Sequence, residues 1–237
     1  MAAQAAGIPR LVYRKLQVEF EPDQVDFTRI VQAYATGVFR DSFETTVLPL
    51  NFVGHSDREL EKLSTSLVDR IRTAGLVRGD IALSPSRSRD HAAVSVPSGR
   101  PRSWDAPQPG ELAEVRLYKT GQISTRATLP KDGLGSILDA EALPQQITDL
   151  LKFIGALNIV QQDRIVVAAG VSCSARTSVD RFDPHQSRRS ARLSHLSNFT
   201  LRTEADESVT LAALSTGAKE VAGPLSRALI RQHPTAR

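Results

Sequence analysis

The sequence predicts an α+β fold, in which a mixed or antiparallel sheet is packed by about four helices. Several short segments alternate apolar and polar residues, which is typical of half-buried strands. Other segments place apolar residues at helical spacing, and clusters of turn residues separate the two kinds. The chain has 237 residues, of which 41% are apolar and 24% are charged, so it can build the core of one large domain or two small ones.

The first predicted elements are a strand, a helix and a second strand. Residues 11–20 alternate polar and apolar side chains as a strand does, and Pro22–Asp23 follows as the start of a helix. Val47 to Val53 is the next predicted strand. It contains Pro49, whose nitrogen cannot donate to a ladder, so this strand is expected at a sheet edge or at a bulge.

A helix is predicted over residues 57–74. Ser56 and Glu59 have the spacing of a capping box, in which the two side chains satisfy backbone N–H groups of the first turn. Gly75 stands where a left-handed cap ends a helix. The apolar residues of the helix recur at helical spacing and should form its buried stripe: Leu60, Leu63, Leu67, Ile71 and Ala74.

Two short strands are predicted after this helix. Asp80 to Leu83 and Ala92 to Val96 are the candidates, and the segment 84–89 between them is expected to be a connection.

A segment rich in proline and glycine, residues 97–110, predicts a linker or a long surface loop. It divides the chain into an N-terminal α/β unit at 1–96 and a C-terminal α+β unit at 111–237. The alternative of one continuous domain stays open at this point.

The C-terminal unit predicts a hairpin, two helices and two further strands. The hairpin runs over residues 113–129, with alternating side chains on both arms and a turn at Thr120–Gly121. The later elements are predicted from their periodicity: a helix over 143–157 with Pro144 in its first turn, a buried strand over 165–171, a strand over 199–201, and a helix over 217–232 that restarts at Pro224.

The net charge of the chain is concentrated in one segment. The chain has 30 Lys and Arg residues and 26 Asp and Glu residues, and the segment 176–202 alone has six arginines and only two acids. Because guanidinium groups bind phosphates in a bidentate manner, this segment is the predicted nucleic-acid site. Its arginines are Arg176, Arg181, Arg188, Arg189, Arg192 and Arg202.

The competing interpretation of this segment is a solvated insertion between two strands of a sheet. Under it, replacing Arg188, Arg189 and Arg192 by serine should leave the melting temperature almost unchanged. A nucleic-acid site would instead gather these arginines on one face with those of the 84–110 segment: Arg87, Arg89, Arg100 and Arg102.

The sequence predicts no catalytic residue, no metal site and no cofactor. Cys173 is the only cysteine, which excludes a disulfide within the chain, and a small buried apolar role is expected for it. Asp183 and His185 could offer two metal ligands, but so short a motif does not specify a site. Gly133-Leu134-Gly135 matches only half of a dinucleotide-binding fingerprint and is expected to be a turn at a helix entry.

The expected location is a reducing cytoplasm. A single cysteine fits such a compartment. The longest apolar run, residues 165–171, is too short to cross a bilayer, which takes about 20 residues in a helix. Residues 1–15 contain no apolar segment of the kind found in signal peptides.

A hairpin motif and the order of the elements after it resemble those of a known family. The stretch Val115-Arg116-Leu117-Tyr118-Lys119-Thr120-Gly121-Gln122-Ile123 has an aromatic and a basic residue shortly before Gly-Gln. With the helix at 143–157, the strand at 165–171 and the final helix near 225–231, it resembles the C-terminal accessory region of bacterial Schlafen-like (AlbA-type) DNA-binding proteins over residues 112–231. The resemblance implies an accessory half without the DNA-binding or ATPase module, and it transfers no functional residue.

The predicted function is that of a non-enzymatic bacterial interaction or accessory domain, which binds a protein partner or a second copy of itself. The resemblance associates it with a defence or regulatory system by analogy. The alternative is a nucleic-acid-binding protein that uses the segment 176–202, with an affinity that falls steeply as salt rises. A third class, an enzyme with a site assembled from dispersed residues, would require a deep pocket holding Cys173 or His185 beside a carboxylate.

Overall fold

The computed structural model describes residues 41–49, 52–96, 110–159, 164–185, 188–191, 194, 196, 198–203 and 208–234 of the chain. Within these residues the predicted α+β class is confirmed, because four helices accompany a mostly antiparallel arrangement with a large sheet of eight strands. The strand predicted at 11–20, the helix predicted to begin at Pro22–Asp23, and residues 97–109 lie outside the described residues.

Eleven strands and four helices make up the described part of the chain. The strands are β1 (Ser42–Pro49), β2 (Ser84–Arg87), β3 (His91–Ser95), β4 (Leu112–Tyr118), β5 (Ile123–Thr128), β6 (Lys131–Asp132), β7 (Gly135–Asp139), β8 (Arg164–Ser174), β9 (Ser178–Asp180), β10 (Asn198–Arg202) and β11 (Ser208–Thr210). The helices are α1 (Asp57–Thr73), α2 (Leu143–Leu157), α3 (Leu211–Thr216) and α4 (Ala218–Gln232).

The large sheet has the strand order β10-β8-β1-β5-β4-β3-β2, and β11 also pairs with β8. All of these pairings are antiparallel. Strands that precede residues 97–110 and strands that follow them pair in this one sheet. The division of the chain into two units at 97–110 stays a prediction. A smaller sheet has the order β6-β7-β9, in which β7 and β9 are parallel.

Helix α1 begins at Asp57 as predicted and ends at Thr73, one residue before the predicted end. The Glu59 N–H donates to Ser56 Oγ at 3.3 Å, and the Ser56 N–H donates to Glu59 Oε2 at 2.8 Å, which completes the capping box. Gly75, just beyond the helix, has a φ of +66°, in the left-handed region expected of a cap. Three residues of the predicted stripe are buried: Leu60, Leu67 and Ile71.

Replacing Ser56 by alanine is expected to lower the free energy of unfolding by about 1 kcal/mol, the usual cost of losing an N-cap. The substitution removes the hydroxyl that accepts from the first turn. Ser64→Ala, in the middle of the same helix, is the control and should not destabilise, since alanine is the better helix former. Urea denaturation measures both. If the two substitutions changed the free energy of unfolding equally, Ser56 would not be the N-cap of α1.

The two faces of the large sheet differ in character. One face carries apolar side chains such as Phe43, Val47 and Val115, and it shares one hydrophobic core with the buried sides of the four helices. We call it the core face. The other, the polar face, carries the alternate residues of the same strands, including Glu44 and Glu114. The alternation arises because successive residues of a strand point to opposite faces.

Pro49 does not lie on an edge strand or at a bulge, so that prediction is wrong. Strand β1 is an internal strand, paired with β8 on one side and with β5 on the other. Its ladder with β5 ends at Val47, and Pro49 is the last residue of the strand. The proline is accommodated because it follows the end of the β5 ladder.

The segment expected to be a connection forms strand β2 instead, and residues 80–83 are not a strand. Among the described strands, β2 pairs only with β3, and all its residues are exposed. The Ser88 N–H donates to the His91 carbonyl at 2.8 Å, so alternation along the strand directs the nitrogen of Pro85 away from β3. A proline at this outward position removes no ladder bond, which is why an edge strand tolerates it.

The predicted C-terminal elements are confirmed, with one correction. The hairpin is formed by β4 and β5, and α2 carries Pro144 in its first turn. Strands β8 and β10 cover the two predicted strands. Helix α4, however, is continuous through Pro224 and is not restarted there. It buries Ala222 and Leu229 on the two sides of the proline, so packing holds the helix together across it.

Candidate functional site

The predicted arginines do not lie on one element. Arg176 is in the turn between β8 and β9, and Arg181 directly follows β9. Arg202 is the last residue of β10 in the large sheet. Arg192 lies outside the described residues. We call residues 181–185 and 188–191, which follow β9 without regular secondary structure, the arginine loop.

Arg188 forms a buried bidentate ion pair with Asp132. Its Nε lies 2.9 Å from Oδ2 and its Nη2 lies 2.9 Å from Oδ1 of the carboxylate. The two side chains are only 9% and 6% exposed. The Arg188 guanidinium also donates to the Gly135 carbonyl and to Ser178 Oγ. The expectation of a solvated side chain is therefore wrong for Arg188, because this guanidinium is used to hold the loop.

Asp132 is saturated with hydrogen bonds. Besides Arg188, it accepts from the N–H groups of Leu134 at 2.9 Å and Gly135 at 3.2 Å. The hydrogen bonds from the Arg188 side chain hold the pKa of Asp132 well below its usual range, and Asp132 in turn raises the pKa of Arg188. Both groups are therefore charged at neutral pH. Gly133 lies in the turn between β6 and β7, so the predicted helix entry is wrong.

Gly135 allows the chain to approach the same turn from the other side. It has a φ of +139°, and a Cβ placed there would lie 2.2 Å from the carbonyl oxygen of Arg176. No other residue fits both the conformation and the space. The segment that leads into the arginine loop is thus packed directly on strand β7.

Asp139 is the second anchor of the loop. Its Oδ2 accepts from the Phe182 N–H at 2.9 Å, and its Oδ1 accepts from the N–H groups of Glu141 and Ala142 near the start of α2. Asp139 is 6% exposed. The arginine loop is therefore fixed at Phe182 and at Arg188, one point in each of its described parts.

The exposed surface around this loop carries both signs of charge. Arg181 lies 3.5 Å from Glu141, and both side chains are largely exposed, so this ion pair adds little stability. The exposed cations here are Lys131, Arg176, Arg181 and Arg189. The exposed acids are Glu141, Asp180 and Asp183. The surface is rich in arginine without being uniformly positive.

Arg87 does not join these arginines. It lies on β2 and forms ion pairs with Asp57 and Glu61 of α1, at 3.2 Å and 3.5 Å. Strand β2 and strand β10 are opposite edges of the sheet, separated by about 29 Å at the usual strand spacing. Arg87 therefore cannot share one patch with Arg202, and Arg100 and Arg102 lie outside the described residues.

Cys173 and His185 do not form a catalytic pair in the described residues. Cys173 is 4% exposed, and burial raises the pKa of its thiol, so it has the buried apolar role that was predicted. His185 is exposed, and its backbone N–H donates to Asp183 Oδ1 at 2.8 Å. Within the described part of the chain, no three His, Cys, Asp or Glu side chains are grouped to hold a metal ion.

The polar face carries a row of buried charges that was not predicted from the sequence. Glu44 of β1, Arg126 of β5 and Glu114 of β4 lie side by side in register. Arg126 is 1% exposed, with Nη2 at 3.8 Å from Glu114 Oε2, and Arg116 Nη2 lies 3.1 Å from Glu114 Oε1. The sequence signal for this row is that the charged residues alternate with core residues along each strand, which places them on the opposite face of the sheet. Because charged residues are rarely buried, this alternation alone favours a solvent-exposed face.

Glu44, one member of this row, has a strongly perturbed pKa. Burial raises its pKa to about 7, against the attraction of Arg126 and Arg116 and a hydrogen bond from Thr46 Oγ1 at 3.1 Å. A pocket of about 10 Å³ lies beside it, lined also by Gly170 and Arg202. This is room for about one water molecule, far below the size of a pocket for a metabolite.

No family model, no curated protein and no solved structure matches this chain. The resemblance to the Schlafen-like accessory region therefore stays a prediction. No helix in the described part of the chain is both long and apolar enough to cross a membrane.

Proposed function

We propose that this chain is a non-enzymatic protein-binding domain whose binding surface is the arginine loop. The observation that carries the proposal is the buried Arg188–Asp132 ion pair. It fixes a loop that has no regular secondary structure and presents Arg181 and Arg189 to solvent. Loops positioned by a rigid scaffold are where binding residues concentrate.

A fixed loop is favourable for binding because less conformational entropy is lost when a partner docks. Arginine is also among the residues enriched at protein interfaces. In the arginine loop, Phe182 is half-buried beside the exposed Arg181, so an aromatic and a cationic group are offered together. The loop thus combines low ordering cost with the side chains that interfaces favour.

The mixed charge of this surface supports a protein partner over a nucleic acid. Interfaces with nucleic acid are much more positive than those between proteins. Here Asp180, Asp183 and Glu141 lie among the exposed cations, and Arg188 is committed to its ion pair. The expected partner therefore carries both acidic and basic groups opposite the loop.

Nucleic-acid binding is the second candidate function. Arg176 and Arg189 are exposed, and neither forms an ion pair with any acid in the described part of the chain. Two such guanidinium groups are available for phosphates. Binding through them would weaken steeply as salt is raised, because released counterions drive the association.

The proposed setting is a bacterial cytoplasm, in a defence or regulatory system. This part of the proposal rests on the single cysteine and on the resemblance of residues 112–231 to the accessory region of Schlafen-like proteins. In that setting the chain would supply protein contacts to a separate functional module.

Affinity capture from nuclease-treated native-host lysate tests the proposed function. The bait is the full chain, compared with Arg181→Ala/Arg189→Ala and with Arg58→Ala/Lys62→Ala. The control pair lies on the exposed side of α1 and removes the same amount of charge. We expect a protein that is retained by the wild type and the control and lost by the loop variant, and that binds the purified chain directly.

Binding of random-sequence DNA and RNA to the same three proteins, at low and physiological salt, separates the two candidates. Salt-sensitive binding that only the loop variant loses would replace the protein-binding proposal with the nucleic-acid one. Equal protein capture by all three baits would contradict the assignment of the arginine loop as the surface.

A further inference from the structure

The two edges of the large sheet differ in how well they are protected against pairing with another strand. An edge strand exposes backbone N–H and C=O groups that can pair with another strand, and proteins usually block them with proline, charge or a bulge. Edge strand β2 has Pro85 at an outward position, where its missing hydrogen leaves that one position without a donor. Arg87 provides the other outward position of this strand and is charged. The β2 edge is therefore protected against pairing.

In edge strand β10, the even-numbered residues direct their backbone N–H and C=O groups outward, away from β8. The Thr203 N–H, just beyond the strand, donates to the Ala169 carbonyl of β8 at 2.8 Å, so residue 203 faces inward. The neighbouring Arg202 N–H donates to Gln232 Oε1 at 3.3 Å, and Gln232 Nε2 donates to the Arg202 carbonyl at 3.1 Å. By alternation, the backbone groups of Thr200 and Asn198 also point outward.

Among the described residues, a cap is present only at the Arg202 end of this edge. The Gln232 side chain imitates a paired strand there, since it bonds both the N–H and the C=O of one residue. The outward groups of Asn198 and Thr200 have no hydrogen-bond partner among the described residues. The strand itself, Asn198 to Arg202, has no proline and no lysine, and its register with β8 is unbroken. It is an open edge of two outward residues.

We propose that two copies of this chain pair through their β10 edges, antiparallel about a two-fold axis at Phe199. In this register Asn198 of each copy lies opposite Thr200 of the other, and four backbone hydrogen bonds form across the axis. The Gln232 cap on Arg202 is left in place. The result is one sheet continuous through both copies, with the isologous symmetry that is commonest among oligomers.

The side chain at the axis supports this register. Phe199 is half-buried on the core face and contacts the His233 ring edge-to-face, with centroids 5.2 Å apart. Across the axis the two Phe199 residues would form a non-hydrogen-bonded pair, in which side chains lie closest. An aromatic pair of this kind stabilises strand pairing. A register centred on Thr200 would instead displace both Gln232 caps.

Disulfide trapping tests the register with the full purified chain. Phe199→Cys should give a covalent dimer on oxidation, because the two Cα atoms would lie about 4.5 Å apart, within the range for a disulfide. Thr200→Cys is the control, since its Cα atoms would be about 7–8 Å apart, beyond that range. The native Cys173 is buried and should not contribute.

Sedimentation of the unmodified chain tests the dimer itself, from about 1 µM to about 1 mM, which covers the weak affinities expected of a small interface. Thr200→Pro removes an outward donor and should give a monomer, while Arg87→Pro on the other edge should leave the dimer unchanged. A chain that stays monomeric over this range overturns the proposal, as does trapping by Thr200→Cys and not by Phe199→Cys.

If Thr200→Pro does not fold, as judged by circular dichroism, the two cysteine variants decide the question. All of these measurements use the chain alone. Their failure would therefore leave the proposed binding of a protein partner by the arginine loop unaffected.

Discussion

Arg188→Ser is expected to lower the free energy of unfolding by about 3–5 kcal/mol, the range for removing one partner of a buried ion pair. The substitution leaves the Asp132 carboxylate, whose side chain is 6% exposed in the wild type, charged and without its main partner. Arg189→Ser, at the next position, changes an exposed side chain and should alter stability by less than about 0.5 kcal/mol. Guanidinium denaturation of both variants at neutral pH measures the difference.

The effect should also depend on pH in a defined direction. The pKa of Asp132 is lowered in the folded protein, so its contribution is present above its ordinary value of 3.8 and is lost as the pH falls below that value. The difference between the wild type and Arg188→Ser should shrink in that acid range. If Arg188→Ser were as mild as Arg189→Ser at neutral pH, the loop would be solvated and the proposed function would lose its support.

Glu44→Gln is expected to make the protein more stable than the wild type above pH 7, by on the order of 3 kcal/mol. Burial raises the pKa of Glu44 from 4.5 to about 7 in the folded state, so the folded protein binds this proton more tightly than the unfolded chain. The wild type therefore loses stability as the pH rises from 4.5 to 7. Glutamine keeps the shape of the neutral carboxyl and does not ionise.

Denaturation midpoints at pH 5 and pH 8 measure this effect. The stability of Glu44→Gln relative to the wild type should be greater at pH 8 than at pH 5. Glu220→Gln, which changes an exposed acid of α4, is the control and should show no such dependence. A Glu44→Gln difference that is equal at both pH values would mean that the carboxylate stays ionised beside Arg126.

The elements that the sequence predicts well are those with local signals. Helix α1 is specified by the Ser56–Glu59 capping box and Gly75, and the β4–β5 hairpin by alternation around Gly121. These signals act within a few residues of each other, and propensity and pattern agree. The same is true of α2, which begins at Leu143 with a proline in its first turn.

The features that could not be predicted depend on residues far apart in the chain. Arg188 and Asp132 are 56 positions apart, and nothing local to either shows that they meet. Strand β2 was missed because a proline disfavours a strand unless its nitrogen faces outward, which only the pairing with β3 decides. The charged row of Glu44, Arg126 and Glu114 likewise exists only once β1, β5 and β4 are in register.

The position of β1 between β5 and β8 has a consequence for how the chain folds as it is synthesised. Asp41, next to β1, accepts a hydrogen bond from the Ser174 N–H at the end of β8, 133 positions later in the sequence. Until β8 leaves the ribosome, β1 can pair only with β5 and keeps an open side. Such distant pairing slows folding and prolongs the exposure of unpaired strands. A chain truncated before β8 should therefore aggregate instead of folding into a smaller domain.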